Sequence, residues 1–95
     1  MKAALLIRET VVYPDSCLAE MVIWRVPSPV PPSRHMFKYS FVYVVCGKRV
    51  LGYDNERGKG DHRHEGETEA PFRFVSIEAL LERFVNEVEA LRRRA

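Results

Sequence analysis

His35-Met36-Phe37-Lys38-Tyr39-Ser40-Phe41-Val42-Tyr43-Val44-Val45 is the stretch that decides the fold. Side chains alternate along an extended chain, so His35, Phe37, Tyr39, Phe41, Tyr43 and Val45 share one face. Met36, Lys38, Ser40, Val42 and Val44 share the other. An aromatic stripe of this kind is most simply the side of a sheet that meets the core, although stripes like it also serve as base-stacking platforms. Lys38 and Ser40, with Arg25 on a neighbouring strand, mark the opposite side as partly solvent-facing, open to a substrate or a partner subunit. Cys46-Gly47 then reads as a tight hairpin turn with Gly supplying positive φ, and Arg49 to Asp54 as the returning strand.

Working towards the N-terminus, Pro27-Ser28-Pro29-Val30-Pro31-Pro32-Ser33 cannot join a ladder, because four of its seven residues lack an amide donor. It reads as a stiff connector. Before it, residues 17–26 alternate, with Leu18, Glu20, Val22, Trp24 and Val26 on one face and Ala19, Met21, Ile23 and Arg25 on the other. Trp24 has its plainest reading as a half-buried core residue, with an interface anchor as the sharper alternative. Pro14-Asp15-Ser16 is a turn by its chemistry, and residues 3–13 form a strand rich in β-branched residues that pairs with 17–26.

Towards the C-terminus, Glu65 to Ala70 reads as an acidic loop and Pro71-Phe72-Arg73-Phe74-Val75 as a short edge strand. From Ser76 the period changes. Ile77, Leu80, Leu81, Phe84, Val85, Val88 and Leu91 recur with helical spacing, and Ser76 is placed to cap the first turn. Leu80, Phe84 and Val88 are the residues expected to cover the aromatic stripe. Arg92-Arg93-Arg94 suit the negative end of the helix dipole and read as a solvated terminus. The expected architecture is α+β: an antiparallel sheet of four to five strands with one C-terminal amphipathic helix across it. Residues 1–95 read as a single domain, with the sheet over 3–54, a charged loop over 55–70, the edge strand over 71–75 and the helix over 76–94.

Bulk properties narrow the function classes. A chain of 95 residues buries a modest share of its surface, so a partner or a second copy would add to a small core. A net charge of +2 is too mild to indicate nucleic-acid binding by itself. The cations are nonetheless uneven, with Lys48, Arg49, Arg57, Lys59 and Arg63 close together. No apolar run reaches the ~20 residues of a membrane helix. Ala3 to Ile7 is followed at once by Arg8 and Glu9, which does not resemble a signal peptide. Cys17 and Cys46 lack metal-type spacing and read as reduced thiols of a cytosolic protein.

The chemistry concentrates in Asp54-Asn55-Glu56-Arg57-Gly58-Lys59-Gly60-Asp61-His62-Arg63-His64. In an extended segment His62 and His64 point to the same side, about 7 Å apart. Imidazoles titrate near neutrality, so the pair can supply a general base and a general acid. RNA cleavage without a metal needs those two and a cation for the developing charge. Asp54 or Asp61 would orient an imidazole. Arg57, Lys59 and Arg63 would bind phosphate, with Gly58 and Gly60 letting the backbone approach it and His35 reaching in from the connector. The same spacing suits a transition metal such as Zn²⁺, with His62, His64 and Asp61 (or Asp54 or His35) as ligands. A non-enzymatic docking loop is the third reading. Gly58-Lys59-Gly60-Asp61 is not a nucleotide-binding P-loop, since the spacing and the Ser/Thr are missing.

Val22-Ile23-Trp24-Arg25-Val26-Pro27, Ser33-Arg34-His35, Lys38-Tyr39, Tyr53-Asp54-Asn55, the block from Gly58 to His64, and Pro71-Phe72-Arg73-Phe74 together resemble the TumE-type proteins. The resemblance spans nearly the whole chain, and the block ending in His62-Arg63-His64 is its specific part. It implies the toxin half of a bacterial toxin–antitoxin pair, cytoplasmic, with a cognate helix-turn-helix-type antitoxin as partner. An RNA substrate is the target such a toxin would share with the local chemistry.

Overall fold

The computed structural model describes residues 2–94. Six antiparallel strands follow one another as neighbours: β1 (Ala4–Val12), β2 (Leu18–Arg25), β3 (Phe37–Val45), β4 (Lys48–Glu56), β5 (Gly60–Glu65) and β6 (Thr68–Pro71). One helix, α1 (Ile77–Arg94), completes the chain. The fold is α+β as expected, with six strands where four to five were anticipated.

The extra strands come from the stretch read as a charged loop. Residues 55–70 instead continue β4 to Glu56, turn, and return as β5 and β6. Asp54 pairs with His62, Gly52 with His64, and His64 in turn with Glu69. Composition misled here because a strand needs a continuous ladder and one supported face, not apolar side chains. The edge strand also lies earlier than expected, at 68–71. Residues 72–75 leave the ladder so that Phe72 and Phe74 can pack under the sheet, where Phe72 meets Tyr53 at 5.0 Å and Phe74 stacks on His35 at 3.8 Å.

Alternation fixes which face the helix covers. Ala19, Met21, Ile23, Tyr39, Phe41, Tyr43, Leu51 and Tyr53 are buried, and they close on Leu80, Phe84 and Val88 of α1. Phe84 sits edge-on to Phe41 at 5.3 Å and to Tyr53 at 6.3 Å. The aromatic stripe is therefore core. Ser76 caps the helix, its Oγ accepting from the Ala79 amide at 3.1 Å.

Arg92 is not a solvated terminus. Its guanidinium lies 3.7 Å over the Tyr13 ring and donates to Tyr43 Oη at 3.0 Å, tying the end of α1 to the sheet. Among the described residues no helix lies above the sheet's other face. Trp24 belongs to that face and not to the core, while Arg25 falls on the helix side, opposite Phe37. The two thiols are free, Cys17 buried and Cys46 exposed.

Candidate functional site on the open face

Because β5 pairs on both sides, its alternation assigns each polar residue to a face. His62 and His64 fall on the open face, across from Asp54 and Gly52. Asp61 and Arg63 fall on the helix face. The two imidazoles thus share a side, as their spacing requires, and both are well covered at 14% and 11% exposure.

Partners fix the tautomers. His62 Nδ1 is 3.0 Å from the Gly60 carbonyl, so it carries a proton and donates it, and in the neutral ring the lone pair is then on Nε2. Glu69 Oε1 stands 3.7 Å from that Nε2. His64 Nε2 faces the Asp54 carboxylate at 3.2–3.3 Å, and its Nδ1 accepts from Arg49 Nη2 at 3.2 Å. Arg49 reaches it across Gly52, where a Cβ would come within 3.0 Å of Arg49 Cδ and 3.2 Å of the Phe41 carbonyl. Lys59 pairs with Glu69 at 3.2 Å, which lowers the Glu69 pKa and raises that of Lys59. Lys38 donates to the Asn55 carbonyl from the same face.

The remaining expected site residues are elsewhere. Asp61 accepts three hydrogen bonds on the helix face, from His35 Nε2 (2.7 Å), Tyr39 Oη (2.6 Å) and Ser33 Oγ (3.1 Å). It orients an imidazole, but that of His35. The Phe37 amide donates to His35 Nδ1 at 3.2 Å, so both ring nitrogens are committed and the ring is stacked on Phe74. This cluster pins the proline-rich connector to β5 beside an open cavity of about 490 Å³. Burial, with the Asp61 hydrogen bond next, pushes the Tyr39 phenol well above its ordinary pKa.

Arg63 is likewise off the open face. It pairs with Glu87 of α1 at 2.5 Å and donates to Tyr53 Oη at 3.1 Å, and the Glu87 hydrogen bond raises its pKa. It joins helix to sheet and is not free to bind phosphate. Arg57 is exposed at the tip of the β4–β5 turn. Gly58 and Gly60 serve that turn, with φ of 88° and 78°, and the Gly58 amide donates to the Pro31 carbonyl at 2.8 Å. They shape a hairpin anchored to the connector.

The alternative metal set of His62, His64 and Asp61 is divided between two faces, and no group of three His, Cys, Asp or Glu suited to a metal gathers among the described residues. Two residues of the open-face group were not singled out from the sequence. Arg49 was visible only as one of several clustered cations. Glu69 was hidden in an acidic stretch, and only its cross-strand position opposite His64 brings it in. On the helix face Asn55 was likewise passed over: fully buried, it accepts from the Tyr39 amide at 3.0 Å and donates to the Phe37 carbonyl at 2.8 Å, replacing ladder bonds where β3 and β4 stop pairing.

Among known proteins, the family model described as Toxin TumE matches residues 2–92 of the chain. No curated protein and no solved structure matches it.

Proposed function

This chain belongs to the TumE toxin family, and we propose that, as the toxin component of a toxin–antitoxin pair, it acts as a metal-independent endoribonuclease through its open sheet face. The observation that carries this reading is the His62 tautomer. With Nδ1–H held by the Gly60 carbonyl, the neutral ring presents Nε2 as its base, on the same face as the Asp54–His64–Arg49 group.

In this reading His62 Nε2 takes the proton of a ribose 2′-hydroxyl, and the freed oxygen attacks the adjacent phosphorus. Arg49 leaves His64 Nδ1 for the phosphate and offsets the charge that develops there. The vacated Nδ1 takes up a proton from solvent, giving an imidazolium that Asp54 stabilises through Nε2–H. That proton passes to the 5′-oxygen as the P–O5′ bond breaks. The products are a 2′,3′-cyclic phosphate end and a 5′-hydroxyl end, and the His62 proton returns through solvent. Lys59 and Arg57 stand at the neighbouring turn as further phosphate ligands.

Purified His62→Ala and His64→Ala proteins are expected to lose RNA cleavage and growth inhibition while keeping parental circular dichroism and antitoxin binding. The parent is expected to leave a 2′-deoxy substrate intact and to keep its rate in a chelator. Cleavage of the deoxy substrate, or loss of activity with chelator, would replace this mechanism with the metal-assisted one. Full toxicity of the double variant would remove the imidazoles from the reaction. The antitoxin that a toxin of this family implies is read as the helix-turn-helix type, and the cell compartment as the cytoplasm.

A further inference from the structure

The open face extends well beyond the imidazoles. Trp24 on β2 lies directly between Leu5 of β1 and Lys38 of β3, and the next pair along brings Arg8, Val22 and Ser40 into line with Asp54 and His62. In antiparallel pairs opposed residues share a face, so all of these project to the side without the helix. Strands are about 4.8 Å apart, which places Trp24 on the order of 10 Å from Asp54, with Lys38 between them.

Among the described residues the indole stacks on no other ring and makes no hydrogen bond to protein, and no buried side-chain nitrogen is left unpaired, so its N–H meets solvent. The quadrant of Leu5, Arg8, Val22, Trp24, Lys38 and Ser40 holds two cations, Lys38 also donating to the Asn55 carbonyl, and its nearest acids, Asp54 and Glu20, lie at its border. Arg8 is exposed and makes no ion pair among the described residues. A half-buried indole flanked by cations suits the base and phosphate of a single strand; a protein surface seated on the indole is the competing occupant.

We infer that Trp24 is a base-stacking platform that holds single-stranded RNA across the sheet, with Arg8 and Lys38 on its phosphates, one segment away from the imidazole pair. The inference deepens the ribonuclease reading by naming the strandedness of the substrate and the direction in which it lies.

Trp24 is the one tryptophan of the chain, so its fluorescence reports on this spot alone. The experiment titrates the His62→Ala/His64→Ala protein with a short single-stranded oligoribonucleotide and with the same strand annealed to its complement. A filter-retention assay run in parallel scores RNA binding. The single strand is expected to quench the indole, with the apparent affinity falling as salt rises, and the duplex to leave it unchanged. Trp24→Ala is expected to weaken retention roughly 5- to 100-fold, and Trp24→Phe to restore most of it.

Retention of RNA with unaltered emission would overturn the platform and leave the imidazole mechanism standing. Quenching by the single strand in a protein whose parent form cleaves nothing would keep the platform and remove the nuclease. Retention of RNA by none of the forms, with quenching only by the cognate antitoxin, would overturn the platform and assign this face to a protein partner.

Discussion

Two aspartates seven residues apart in sequence have opposite jobs, and the difference lies in what accepts from what. Asp61 is the common acceptor for an imidazole, a phenol and a hydroxyl beneath the sheet. Removing it in Asp61→Ala leaves those donors without a partner in a largely covered site, which should destabilise the fold by about 3 kcal/mol. Among the described residues the Asp54 carboxylate, on the open face, has its polar side-chain contact with His64. Asp54→Asn should leave the unfolding free energy from urea titration within about 0.5 kcal/mol of the parent. It should still forfeit part of the roughly 10²–10⁴-fold that acid–base catalysis supplies, by failing to stabilise the imidazolium. Measuring both quantities on both variants separates the roles. An Asp61→Ala protein of parental stability would contradict the assignment. The sequence offered either aspartate as the orienting carboxylate, since both lie near His62 in the chain. Parity along β5 decides between them, and parity could not be counted until the stretch was known to be a strand.

At the scale of elements, the hairpins explain both what was legible and what was hidden. The β3–β4 turn was readable because Cys46-Gly47 interrupts two apolar alternating runs. Both residues have positive φ, 52° and 74°, the two-residue turn whose twist matches the flanking strands. Cysteine is a poor occupant of that region, so Cys46→Asn should stabilise the protein by roughly 0.5–1 kcal/mol, read as a higher urea midpoint at constant slope. An unchanged or lower midpoint would contradict it. The β4–β5 turn was not readable as a turn between strands, because its flanking residues are charged on both faces. Their pairing is licensed by contacts distant in sequence: Tyr53 below, Glu87 of the helix and the Pro31-Pro32 connector. Gly60 shows the consequence. Its φ of 78° and a would-be Cβ 3.0 Å from Pro32 Cγ both resist a side chain. Gly60→Ala should therefore cost about 1–2 kcal/mol and loosen the carbonyl that fixes the His62 tautomer. Activity falling further than stability accounts for, in material shown to be folded, is the expected result. Parental cleavage would detach the turn from the site.

Over the whole molecule, the sheet divides labour between its sides, and the helix side carries a titration that can be read as stability. The helix, its Ser76 cap and the aromatic stripe were legible, the first and last because apolar periodicity is dictated by burial. The ties that hold helix to sheet, Arg63–Glu87–Tyr53 and Arg92–Tyr43–Asp15, were not, since ion pairs between distant segments leave no periodic trace. The first of these gives a pH signature. Burial, then its hydrogen bond to Glu87, pushes the Tyr53 phenol up to about 12, against 10.0 for the free group. Below pH 10 the phenol is protonated in folded and unfolded chains alike, and its contribution is fully present. As pH rises from 10 towards 12 the unfolded chain gives up the proton while the folded one retains it, so stability drains away and the loss is complete above the folded value. That difference amounts to on the order of 2 kcal/mol. Tyr53→Phe lacks the hydroxyl, so it should start less stable at neutral pH and then decline less steeply through this window. The gap between the two proteins should narrow with rising pH. Tyr39, raised in the same direction and common to both, drops out of the comparison. Urea titrations at a series of alkaline pH values measure the gap directly, and a gap that stays constant or widens would mean that Tyr53 does not carry this titration.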